Sequence, residues 1–121
     1  MNEYAFTANE PDASAQADLL SLNAWLGDNA ELDAEVELKM RPPGTGEMGG
    51  QPEAVMALAV AAVPVARAFF GWLTEQVRSR RVAMTISNKY SGKTLTIEAG
   101  SNAEAMRLLP DIRQFFSESD D

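Results

Sequence analysis

The sequence predicts an α+β domain: a single four-stranded mixed sheet with three helices packed mainly on one face, in the order β-α-β-α-β-β-α. Three observations carry this. Four short stretches alternate apolar and polar residues with the period of a half-buried strand. Two stretches repeat apolar residues at helical spacing. Between them, residues 52–81 read PEAVMALAVAAVPVARAFFGWLTEQVRSRR, with Arg67 the single charge from Ala54 to Thr74. That run predicts one long apolar central helix over 52–79.

Tyr4, Phe6 and Ala8 alternate with Ala5, Thr7 and Asn9, a first strand closed by Glu10-Pro11-Asp12, because Pro11 disfavours a helical Glu10. Asp12 or Ser14 can cap the helix that follows. Its Leu19, Leu22 and Leu26 share a face, with Trp25 beside them, and Gly27-Asp28-Asn29 stops it. Over Glu35–Met40, Val36, Leu38 and Met40 alternate with Glu35, Glu37 and Lys39, a strand with one buried face. If these two strands lie parallel in one sheet, the helix between them is a right-handed crossover.

Arg41–Gly50, RPPGTGEMGG, is a loop by composition. Pro52 suits the first turn of the central helix. Pro64 lacks a donor and clashes with the Val60 carbonyl, so it should kink or break that helix at Ala61–Val63. Arg78-Ser79-Arg80-Arg81 suits the negative end of the helix dipole. Val82, Met84 and Ile86, then Leu95, Ile97 and Ala99, alternate on either side of Asn88–Gly92, an antiparallel hairpin. Ser101 or Asn102 caps the last helix, with Glu104 in its first turn. Ala105, Leu108, Leu109, Ile112 and Phe115-Phe116 form its apolar side, and Pro110 should distort its middle. Residues 1–117 are expected to form one domain, and 118–121 a flexible acidic tail.

A chain of 121 residues supports one modest core. The absence of cysteine excludes disulfides and fits a reducing compartment. The amino-terminal residues have no apolar run to serve as a secretory signal. The expectation is a cytoplasmic protein. A net charge of −8 argues against nucleic acid as a partner, which needs cations to replace counterions. It argues equally against adsorption to anionic lipid.

The chain contains no histidine and no cysteine, and no nucleophile-and-base spacing. No catalytic residue, metal or cofactor is expected, and the chain reads as a non-enzyme. Glu31, Asp33, Glu35 and Glu37 line up along one strand face, but nothing in the sequence implies the cleft that paired carboxylates need for acid–base work. They read as a solvated face. The glycine-rich loop precedes a helix, yet a phosphate-binding loop needs Lys-Ser or Lys-Thr after its last glycine. Here Gln51-Pro52 follows.

The apolar run has three readings. As a membrane span, its Val, Leu and Phe residues favour insertion by roughly 4 kcal/mol, while Arg67 opposes it by about 2.5–3.5 kcal/mol, before any cost of Pro64. As a wholly buried helix, it exceeds what so small a domain can cover. In the third reading, one side packs on the sheet and the other on a second protein chain. Phe69, Phe70, Trp72 and Leu73 span more than one helical face, so they are the expected interaction residues, and a homo-oligomer is expected. Arg78, Arg80 and Arg81, between helix and strand, form an expected protease-accessible turn.

Taken as an ordered set, these features resemble the effector-associated constant component family. The early helix ends Leu22-Asn23-Ala24-Trp25-Leu26. The loop Pro43-Gly44-Thr45-Gly46-Glu47-Met48-Gly49 matches the form Pro-x-x-Gly-x-Met-Gly, and Gly46, Glu47, Met48 and Gly49 are its most specific piece. The apolar run ends in Trp72-Leu73 and a basic turn, and a threonine-rich hairpin and a last helix close the chain. Where family members often carry glycines in the middle of the apolar helix, this chain has Ala61-Ala62-Val63-Pro64. The resemblance implies a non-enzymatic assembly or adaptor component of a bacterial conflict system, such as antiphage defence. Caspase-like or trypsin-like proteases or other effectors would be its protein partners. The alternative is a latent membrane-active effector whose apolar helix is released by a partner or by proteolysis, the one reading with membrane contact.

Overall fold

The computed structural model describes residues 2–9, 13–29, 34–41 and 51–118. Its elements are β1 (Asn2–Ala8), α1 (Ala13–Asp28), β2 (Ala34–Arg41), β3 (Gln51–Ala59), α2 (Ala62–Gln76), β4 (Val82–Asn88), β5 (Thr94–Ala99) and α3 (Asn102–Glu118). The α+β class holds, with three helices, but two expectations are corrected. The sheet has five strands, not four, and every neighbouring pair is antiparallel rather than mixed. The apolar run is not one long helix: its first part is β3, its second part is α2, and Val60 and Ala61 lie between them.

The physical reason lies in where β3 sits. It pairs with β2 on one side and β1 on the other. Its apolar residues fall on both faces of the sheet, Val55, Ala57 and Ala59 buried on the helix side and Met56 and Leu58 partly buried on the other, so it reads as a continuous apolar run that periodicity cannot distinguish from a buried helix. Ala, Leu and Met favour helix in isolation, and pairing along both edges overrides that local preference. Pro52 lies opposite Met40, past a register shift at Lys39/Met40 and beyond the β1 pairing. There its missing N–H breaks no bond to β1. Pro64 falls in the first turn of α2, where backbone N–H groups have no helical partner. The clash expected at the Val60 carbonyl does not arise, because the helix begins after Val60, at Ala62.

The sheet order is β2-β3-β1-β4-β5. β1 and β2 run the same way with β3 inserted between them, and β3 and β4 run the same way with β1 inserted. The first six elements thus form two interleaved split βαβ units, the ferredoxin-like arrangement, extended by β5 and α3. The helices lie on one face, where Phe6 of β1 stacks on Phe69 of α2 at 5.3 Å and Tyr4 meets Phe116 of α3 at 4.7 Å. Leu19, Leu22 and Leu26 of α1 complete this core as the helical spacing predicts. On the opposite face, Thr7, Thr85 and Thr96 stand in register across three strands.

The hairpin and last helix follow local chemistry. Asn88 Oδ1 accepts the N–H groups of Tyr90 at 2.9 Å and Ser91 at 3.2 Å, and Gly92 takes φ 76°. Ser101 Oγ accepts the Glu104 N–H at 3.2 Å, while Glu104 Oε1 accepts the Gly100 N–H at 3.3 Å. That is the reciprocal cap the sequence predicts. Helix α3 runs through Pro110 to Glu118, one residue into the expected tail; residues 119–121 lie outside the described residues.

Candidate functional site

Helix α2 has two working sides. On one side, Phe69, Trp72 and Leu73 are fully buried in the chain's own core. Trp72 lies 5.9 Å from Phe69, and its Nε1–H donates to Ser21 Oγ of α1 at 3.0 Å. From the opposite direction, Trp25 Nε1–H of α1 donates to the Ala68 carbonyl of α2 at 2.9 Å. Its ring lies beside Gly71, where an added Cβ would sit 3.5 Å from Cζ2. Each of the two tryptophans therefore ties its helix to the other. Three of the four expected interaction residues thus belong to the intramolecular core; the fourth, Phe70, is half-buried on the other side of α2.

Near the end of α2, Arg80 Nη2 donates to Gln76 Oε1 at 2.8 Å and lies 2.6 Å from Asp18 Oδ1 of α1. Asp18 is buried, so this ion pair is a desolvated contact rather than a surface one. Arg78 pairs with Glu75 at 3.6 Å and Arg81 with Glu98 at 3.5 Å, both largely exposed. The basic turn proposed as protease-accessible is thus tied at each arginine, most firmly at Arg80. Glu35 and Glu37 are exposed on β2. Glu31, Asp33 and the loop motif Gly46, Glu47, Met48 and Gly49 lie outside the described residues.

The other side of α2 faces α3 across a groove of about 260 Å³. Val63, Ala66, Arg67 and Phe70 line it from α2, and Leu109, Ile112 and Arg113 from α3. The floor is apolar and each helix contributes one guanidinium. Among the described residues neither Arg67 nor Arg113 has an acid within ion-pair distance, in contrast to Arg78, Arg80 and Arg81. Val60 and Val63, both more than half exposed, carry the apolar stripe back to the start of α2. Sequence reasoning grouped Phe70 with Arg67 but missed Val63, Leu109, Ile112 and Arg113. The available signal was the spacing of Val63, Arg67 and Phe70, which puts them on one helical face. The α3 half had no such signal, because its partner surface is set by tertiary packing. No described helix is long and apolar enough to cross a membrane.

A surface of this kind suits contact with another molecule: an apolar floor with cationic rims. No curated protein and no solved structure matches the chain. The family model Effector Associated Constant Component 1 matches residues 11–115 of the 121-residue chain, spanning every element except β1 and the end of α3. The protein belongs to the Effector Associated Constant Component 1 family.

Proposed function

We propose that the chain is a non-enzymatic assembly or adaptor component of a bacterial conflict system, working through protein–protein contact in the cytoplasm. The family name supports an accessory role beside effectors. The observation that carries the contact role is the α2–α3 groove, where exposed apolar side chains and two arginines converge. Aromatic residues and arginine are the side chains that dominate binding energy at protein interfaces, and Phe70 with Arg67 supplies both on one helix. Caspase-like or trypsin-like proteases and other effectors of the same system are the partners this reading favours, and self-association through the same face is compatible with it.

The test is co-expression of the tagged chain with caspase-like and trypsin-like proteases and other candidate effectors. Co-purification that is lost in a folded Phe70→Ser variant supports the reading. Failure of any of these proteins to co-purify, or equal recovery with the variant, removes the groove as the working surface. The latent membrane-active alternative rested on one continuous releasable helix. With residues 51–59 forming a strand paired on both sides, no observation favours it.

A further inference from the structure

The groove carries information about what fills it. Its lining on α2 runs from Val63 to Phe70, about two helical turns or 10 Å. Its volume of about 260 Å³ lies below the 300–1,000 Å³ or so typical of small-molecule pockets. A space of that size takes one or two large side chains of a partner rather than a whole ligand. A furrow between two helices accepts the side-chain ridge of a third helix, read as anchors at helical spacing.

The charges then decide which helix. A partner that covers the groove strips water from Arg67 and Arg113. A desolvated cation without a counter-charge is costly, and no acid among the described residues is placed to supply one. Guanidinium groups pair best with carboxylates, through two parallel hydrogen bonds. We infer that the α2–α3 groove docks an acidic amphipathic helix of a protein partner, with apolar anchors over Phe70 and Ile112 and carboxylates on Arg67 and Arg113. This inference rests on the contact role proposed above and narrows it to one class of partner. The net charge of −8 opposes the long-range approach of such a partner. Selectivity therefore resides in the contact itself and appears in the dissociation rate more than in the association rate.

The probes are two labelled peptides of about 16 residues on an alanine background, long enough to populate a helix. Both carry leucines at helical spacing; one is flanked by glutamates and the other by lysines. Fluorescence anisotropy against the full chain should show the glutamate peptide binding about tenfold or more tightly, the scale of a well-formed charge-assisted pair. The double variant Arg67→Glu, Arg113→Glu should invert the order. Both arginines are exposed, and an unchanged melting temperature certifies the variant's fold. Equal affinities, preference for the lysine peptide, or no binding of either peptide overturns the inference. A wild-type dimer that the double variant dissociates also overturns it, because the occupant is then a second copy. Loss of effector co-purification in Phe70→Ser without any peptide preference removes the acidic helix while leaving the contact role in place.

Discussion

Helix α2 meets α1 and α3 in two different ways. Toward α1, Trp25 donates to the Ala68 carbonyl, Trp72 to Ser21, and Arg80 Nη2 meets Asp18 and Gln76, while Arg80 Nε is buried without an acceptor among the described residues. Toward α3, the helices leave an apolar furrow with two arginines that have no acid partner among the described residues. The difference teaches how one small helix serves two ends. The two tryptophan bonds and the contacts of Arg80 Nη2 set the geometry on the α1 side. On the α3 side, the groove proposed for docking is left open between the two helices. Preorganisation of that kind lowers the ordering cost of association.

Four substitutions break or sharpen this contrast. Trp72→Ala removes a fully buried ring and its bond to Ser21. It should cost about 3–5 kcal/mol and unfold much of the population, as read by urea denaturation. Arg80→Ala leaves the buried Asp18 carboxylate without its guanidinium. The expected loss is about 2–3 kcal/mol, below the 3–5 of a fully buried pair because Arg80 itself is about one-third exposed. The same urea series should show it, and trypsin should then cut the 77–81 turn sooner than in the wild type. Trp25→Phe keeps most of the ring beside Gly71 but deletes the Nε1 donor, for a loss of about 1 kcal/mol in the denaturation midpoint. Arg67→Ala on the α3 side should change stability by less than about 0.5 kcal/mol, with binding of the glutamate peptide weakened several-fold. A large stability loss from Arg67→Ala would erase the contrast between the two sides.

Much of the fold is legible in local chemistry. Period-two alternation marks β1, β2, β4 and β5, each within a few residues. The Leu19, Leu22 and Leu26 spacing marks α1, and Ser101 with Glu104 marks the start of α3. Residues 51–61 differ from the helix their sequence predicts because their signal is ambiguous in kind. An apolar stretch rich in alanine satisfies a helix and a central strand with apolar residues on both faces equally, and nothing local distinguishes them. Pro64 did mark a boundary, but as the first turn of a helix rather than a kink within one. The candidate site shows the same limit. Phe69, Phe70, Trp72 and Leu73 were recognisable as a set too large for one face. Which of them would turn inward depended on where the helix begins.

What the sequence determined by itself is the class, the hairpin, the cap of α3 and the family, because each depends on spacing within a few residues or on a motif read in order. The tertiary structure alone decided that β3 enters the sheet between β2 and β1, converting the first part of an apparent helix into a strand. It also decided that Arg67 and Arg113, 46 positions apart, face one groove. Both outcomes depend on long-range partners. A strand's identity is set by the edges it pairs with, and a groove exists only once two helices have been placed side by side on a sheet.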